Sequence, residues 1–345
     1  MRAPRRTLPP APRTSVLVTA VLLVVVCLAA LTVGRYAVPL PHVVRILLGQ
    51  VTGAPVTDQT GHDVVVLVRL PRILLAALVG GGLSVGGVAL QAIFRNPLVS
   101  PQIIGVSSGA SFGGALALFL GLGTGFLVGG AFVFGLLALG IVFLVTVGRA
   151  GAPMLMIVLG GVVTGSFFSA LVSMLTYLAN PYDTLPAIVF WLLGSVASAT
   201  FGKVLVCVVP VGIGLVVLLV LRWRINVLSL GDDDARAVGV TPGPVRWTVL
   251  GAVTLIVAGA VAVSGVISWV GLVVPHLARM WVGPDHRFLV PLSFLLGAAY
   301  LVAIDTLARS LTAGEIPLGV LTSLVGAPVF FVLLRRHRDR IWDRA

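Results

Sequence analysis

The sequence predicts an all-α protein that crosses a membrane many times, and three observations carry that reading. Hydrophobic residues make up 58% of the 345 residues and charged residues only 10%, against roughly 25% charged residues in a soluble domain. The mean hydropathy is +1.13. No hydrophilic stretch is long enough to form a soluble domain. A crossing takes about 20 mostly apolar residues, so the chain has room for about ten spans.

The spans are expected near 15–35, 73–94, 103–121, 126–147, 154–178, 203–222, 247–266, 267–282, 288–308 and 317–334. The first run, from Ser15 to Gly34, is longer than a signal-peptide core and lacks a small-x-small cleavage site, so it reads as a retained span. Val26 is too large for a lipoprotein signal ahead of Cys27. Arg5 and Arg6 then hold the N-terminus inside. Residues 41–50 are expected to form a short outer helix, and the polar stretch 51–63 returns to the second span. Residues 185–201 are apolar enough to cross, but an eleventh span would send the arginine-rich C-terminus outward. That segment is therefore expected to lie at the outer interface, with Trp191 at interfacial depth.

Ten spans place both termini on one side of the plasma membrane. With the N-terminus inside, 17 of the 23 basic residues fall on the inner side, which satisfies the positive-inside rule. The domain reading is a cytoplasmic basic tail at 1–14, a transmembrane domain at 15–336 and a second cytoplasmic basic tail at 337–345.

The net charge of +12 does not point to nucleic acid, because no basic face interleaved with aromatics exists. Cys27 and Cys207 lie in apolar runs and form no disulfide framework. The five histidines show no metal-ligand spacing, and His276 reads as a packed or helix-end residue. Gly202-Lys203 lacks the rest of a phosphate-cradling loop, so the chain has no ATP site of that kind. Gly105-Val-Ser-Ser-Gly109 looks superficially like a nucleophile elbow, but it opens a membrane helix rather than following a strand. No catalytic site, bound cofactor or metal is expected. Asp305 is the best candidate for an acid at membrane depth, and Arg309 at i+4 supplies a local ion pair.

Gly81-Gly-Leu-Ser-Val-Gly-Gly-Val88 reads against Gly259-Ala-Val-Ala-Val-Ser-Gly-Val266, an offset of 178 and about half the chain. Five spans per half is odd, so a true repeat would be inverted, as in many transporters. Chance similarity in a Gly/Ala/Val-rich chain is the alternative. The pairs Gly82/Gly86, Gly109/Gly113 and Gly125/Gly129 have the small-xxx-small spacing of closely packed helices.

The most informative polar stretch is 223–246. Asp232, Asp233 and Asp234 would open a short helix at its positive dipole end. Gly239 can close it in a left-handed conformation, and Pro242 prevents its continuation. A capped charged helix presents a rigid surface to a partner; a solvated loop is the plainer reading. Charge alone leaves both open.

Five segments in order resemble the permease family of ABC importers for iron-siderophore, haem and vitamin B12 uptake. They are Arg69-Leu-Pro-Arg72; Arg95-Asn-Pro-Leu98 with Gly105–Gly109; Leu230-Gly-Asp-Asp-Asp-Ala-Arg236 with Gly239; Val270–Arg279 with Gly283–Arg287; and Glu315–Gly319 with Gly326-Ala-Pro328. Asp232–Asp234 stand where the family usually has glutamates, and Ser268-Trp269 where it often has Gly-Phe.

The resemblance implies a ten-helix subunit paired with a second permease, identical or homologous. Two cytoplasmic ATPase subunits, which hold ATP and Mg, would drive it, and an extracytoplasmic binding protein would deliver a metal chelate. Ferric siderophore is the first expectation, with haem and cobalamin open. Carried over residue by residue, the resemblance implies docking of the binding protein at Arg69, Arg72 and Arg309. It also implies an ATPase coupling loop at Gly231, Asp232, Asp233, Asp234, Ala235, Arg236 and Gly239, and a cytoplasmic gate at Asn96 and Leu98. The rival classes are an ion-coupled secondary transporter or channel and a membrane-embedded enzyme. The first needs embedded coupling carboxylates and the second a cluster of catalytic residues; neither pattern is evident.

Overall fold

The computed structural model describes residues 12–53, 58–146, 154–312 and 314–342, apart from the side chains of 334 and 336–342. Residues 1–11 and 343–345 of the two basic tails lie outside the described residues. The helices are α1 (Pro12–Thr32), α2 (Leu40–Thr52), α3 (Gln59–Ile93), α4 (Val106–Phe119), α5 (Thr124–Thr146), α6 (Met154–Leu178) and α7 (Thr184–Leu192). They continue with α8 (Phe201–Leu230), α9 (Asp232–Ala237), α10 (Pro242–Ser264), α11 (Val270–Val282), α12 (His286–Ala308) and α13 (Leu318–Trp342). Near its start α3 carries a π-helical stretch, Asp63–Arg69.

Among the described residues, seven helices are long and apolar enough to cross a membrane: α1, α3, α5, α6, α8, α10 and α12. Three shorter apolar stretches, α4, α11 and Leu318–Leu333 of α13, fill the remaining expected positions. The expected spans at 103–121 and 267–282 need correction. α4 has 14 residues and α11 has 13, so each reaches roughly 20 Å, short of the about 30 Å hydrocarbon core. The backbone shows why these helices start late. A 3-10 turn at Pro101–Ile104 leads into Gly105, whose φ of +80° starts α4 in a region open to glycine. Trp269 starts α11 at φ +69° without that freedom.

The order long helix, irregular break, short helix, two further helices occurs twice, in α3–α6 and in α10–α13. The packing recurs with it: α3 lies against α11 and α12, and α10 against α4 and α5. α3 and α10 are the most buried of the long helices, while α1, α5 and α6 keep most of their surface exposed.

Close helix approach rests on glycine, though only partly at the expected pairs. A Cβ on Gly80 would meet the Gly297 carbonyl of α12, and one on Gly87 would meet the Gly271 carbonyl of α11. Gly109 and Gly113 lie against the Phe134 and Gly130 carbonyls of α5. Gly125 and Gly129 face open space, so that pair packs nothing within the described chain. α2 forms at the expected 41–50. The 185–201 segment gives only the nine-residue α7. The Trp191 ring packs on Gly114 of α4. Beyond α7, the Ser195 N–H donates to the Ser264 carbonyl (2.7 Å), and Gly194 accepts from the Leu318 N–H (2.8 Å).

Substituting Gly80→Val should therefore cost about 1–3 kcal/mol, the usual overpacking range, while Gly129→Val leaves the isolated chain unchanged. Thermal unfolding of the detergent-solubilised protein checks both; equal effects would contradict this packing.

Candidate functional sites at the two ends of α12

The three arginines expected to face a docking partner are buried instead. Arg69 is 4% exposed, Arg72 5% and Arg309 8%. The Arg72 guanidinium donates from Nε to both oxygens of Asp305 (2.8 and 3.0 Å) and from Nη1 and Nη2 to Glu315 (2.8 and 2.9 Å). Asp305, 1% exposed, also faces Arg309 Nε at 3.8 Å. The local pair expected at i+4 is thus present but secondary to a long-range pair with Arg72.

Three guanidinium groups meet two carboxylates here, which leaves positive charge in excess. The end of α1 and the segment just after it supply the balance. Arg69 donates to the Leu31 and Tyr36 carbonyls, and Arg309 donates to the Ala30 carbonyl. The last carbonyls of a helix lack partners within it and carry the negative end of its dipole. Gly34 makes room for this arrangement, because a Cβ there would fall 2.6 Å from Arg69 Nη2 and 2.9 Å from Arg309 Nη1. The expectation of outward-facing arginines fails for a physical reason. A guanidinium in apolar surroundings needs carboxylates and carbonyls, and the fold provides them internally. Glu315, with its side chain 31% exposed, is the cluster's contact with the surface.

The other end of α12 meets the 223–246 stretch. Gly231 is the single residue between α8 and α9. Asp232–Asp234 occupy the first turn of α9, as expected, and Ala235 is buried beneath it. Gly239 has φ +79°, and the hydrogen bonds Gly239 N–H to Arg236 O (3.0 Å) and Val240 N–H to Ala235 O (2.8 Å) complete a Schellman cap. Pro242 opens α10. Asp232 pairs with Arg246 near the start of α10, and Arg236 pairs with Asp233 at 3.1 Å on the exposed side.

Asn96 and Leu98 lie exposed on the loop after α3, where the Asn96 side chain accepts from the Leu98 N–H (2.9 Å). Arg95, at φ +49°, brings Nη1 beside Gly231, so this loop abuts the start of α9.

Two polar clamps were not anticipated. Gln91 of α3 accepts from Arg279 of α11 (3.1 Å) and donates to the Leu272 carbonyl (3.4 Å). Asn226 of α8 donates to Asp285 (2.9 Å) and accepts from the His286 N–H (3.0 Å). Burial works against an ionised Asp285, but hydrogen bonds from the Arg287 N–H and Asn226 outweigh it and hold the carboxyl below its ordinary range. Asp285 and His286 stood in a recognised segment; nothing in the sequence paired them with Asn226.

A bundle of long and half-length apolar helices, with a short capped acidic helix between two of them, defines a multi-pass membrane protein. The FecCD transport family pattern matches residues 22–336, and the chain belongs to that family. It is 45% identical over 313 residues to the molybdate import system permease protein MolB of Haemophilus influenzae, covering 91% of this chain and 93% of that protein. The hemin transport system permease protein HmuU of Yersinia pestis is 38% identical over 281 residues, 79% of this chain and 83% of that one. A solved structure described as an inward-facing conformation of a metal-chelate type ABC transporter superposes with a TM-score of 0.85 at 43% identity, covering 94% of this chain and 99% of that one. The chain is accordingly an ABC importer permease.

Arg72→Lys should fail to hold the cluster, because one ammonium cannot reproduce the Nε and Nη forks toward two carboxylates. The expected loss is about 3–5 kcal/mol, the range for disrupted buried ion pairs, against under about 1 kcal/mol for the partly exposed partner in Glu315→Gln. Chemical unfolding in detergent reads both values, and equal losses would contradict the assigned order.

Proposed function

We propose that the chain forms, with a second permease, the path of an ATP-driven importer that brings a metal chelate across the plasma membrane, both termini being cytoplasmic. The observation that carries this reading is α9: a six-residue helix with three aspartates in its first turn, a Schellman cap behind it and Arg95 of the α3 loop beside it. Such an element offers two cytoplasmic ATPase subunits, the holders of ATP and Mg, a rigid surface joined to two central helices. Asn96 and Leu98, exposed on the loop next to it, form the cytoplasmic gate in this reading. An extracytoplasmic binding protein delivers the substrate. With Arg69, Arg72 and Arg309 buried, its docking at that end of the bundle acts through Glu315 and the cluster behind it.

Ferric siderophore is the first substrate, in keeping with the metal-chelate type of the superposed structure. One observation favours a second reading, the oxyanion molybdate: of the relatives named above, the one named for molybdate shares the most residues.

Uptake by proteoliposomes holding the full transporter tests these readings, with labelled ferric siderophore, haem, cobalamin and molybdate as separate arms. The expected result is uptake that needs internal ATP, and its loss in Gly239→Val with ATP hydrolysis continuing, because a β-branched residue is strained at φ +79°. Molybdate uptake without siderophore uptake would put the oxyanion in place of the chelate. Uptake that survives without ATP and collapses with an ion gradient would overturn the importer reading in favour of a secondary transporter.

A further inference from the structure

Asn226 lies on the last turns of α8, five residues before Gly231 and the start of α9. Its side chain is used at both atoms. Nδ2 donates to Asp285 Oδ1 (2.9 Å), and Oδ1 accepts from the backbone N–H of His286 (3.0 Å). The Asn226 oxygen also faces His286 Nδ1 at 2.5 Å, so that ring nitrogen carries the proton. Asp285 in turn caps α12 by accepting from the Arg287 N–H (2.9 Å). His286 is 3% exposed.

The first turn of α12 depends on these contacts more than a helix start usually does. Pro291 removes the hydrogen bond that residue 291 would otherwise give to the Arg287 carbonyl. Beyond it, α12 runs on to Asp305 and Ala308, with Gly297 against Gly80 of α3 along the way. The same helix therefore has the Asn226 clamp at one end and the Arg72–Asp305 cluster at the other, about 30 Å apart at 1.5 Å per residue.

We propose that Asn226 is a positioning residue that carries displacement of the α8–α9 junction into α12, and through α12 to the ion cluster at its far end. The inference rests on the reading of α9 as the ATPase-facing element. α9 has a second connection, Asp232 to Arg246 of α10, but that one leads to a different central helix. Asn226 supplies hydrogen bonds that reach α12, because its side chain grips both the capping residue and the first residue of that helix. A displacement of the α8 end by even an ångström breaks three hydrogen bonds unless α12 follows.

The charges allow a test that separates transmission from simple loss of structure. Asn226→Asp sets a second carboxylate against Asp285. Adding Asp285→Asn restores one donor and one acceptor between the two positions, and asparagine caps a helix as well as aspartate does. The experiment uses the chain with its ATPase subunits in nanodiscs, with Cys27 and Cys207 replaced by serine. Nitroxide labels go on Leu122, in the α4–α5 loop, and on Leu311, just beyond α12; these residues are 41% and 60% exposed. The inter-label distance distribution is recorded with and without ATP and vanadate, alongside ATP hydrolysis.

The expected result is a nucleotide-dependent shift in the unaltered complex. The shift disappears in Asn226→Asp while hydrolysis continues, and it returns in Asn226→Asp/Asp285→Asn. A shift that persists in Asn226→Asp overturns the inference, as does one that the paired substitution does not restore. A complex that shifts normally in nanodiscs but, reconstituted in proteoliposomes, takes up none of the four labelled solutes leaves the clamp standing and overturns the importer reading. A complex that hydrolyses no ATP overturns both.

Discussion

A guanidinium held at 5% exposure, as Arg72 is, persists only where negative charge surrounds it, and that requirement shapes one whole end of the molecule. Asp305 and Glu315 each give Arg72 two acceptor oxygens. Bringing them there draws in Arg309 one turn beyond Asp305, and Arg69 three residues before Arg72. The positive excess that results is met by the Ala30, Leu31 and Tyr36 carbonyls. The cluster thus fixes the end of α1, the start of α3 and the end of α12 together. α1 otherwise exposes much of its surface and has little else polar to hold its register.

From that end the constraint passes along the bundle by backbone contact. Gly80 against Gly297 and Gly87 against Gly271 bring α3 within carbonyl distance of α12 and α11. Helices in a bilayer gain little from burying apolar surface against each other, so dense contact of this kind does much of the holding. At the opposite end α12 is gripped again, by Asn226. The half-length helices α4 and α11 fit the same plan. Each follows a break after a central helix, so the breaks fall inside the bundle, where neighbouring backbone can satisfy them. Such an arrangement suits a device that must move in large units rather than deform.

Much of this was legible in the sequence because its signals are local. Apolar runs separated by arginines gave the spans, and Asp232–Asp234 with Gly239 and Pro242 gave α9 and both of its boundaries. Where the reading failed, the missing information was long-range. Arg72 and Asp305 are 233 residues apart, and Asn226 and Asp285 are 59 apart; no spacing rule pairs them. Asp305 was the visible clue, since an acid at membrane depth requires a partner, but Arg309 at i+4 offered a nearer one. The small-xxx-small pairs show the same limit. The spacing at Gly109/Gly113 and Gly125/Gly129 is identical, yet only the first pair has a helix against it.

The central claim is that Arg72 and Asp305 stabilise the fold as a pair, buried from solvent. A double-mutant cycle on Arg72→Met and Asp305→Leu, followed by chemical unfolding of the solubilised chain, measures this directly. The account predicts that each single substitution is strongly destabilising and that the double variant is less so than their sum, with a coupling of about 2 kcal/mol or more. That coupling should be the same in low and in high salt, because a buried pair is little screened. Effects that add to within about 0.5 kcal/mol, or a coupling that fades as salt is raised, would show a surface pair and contradict the account.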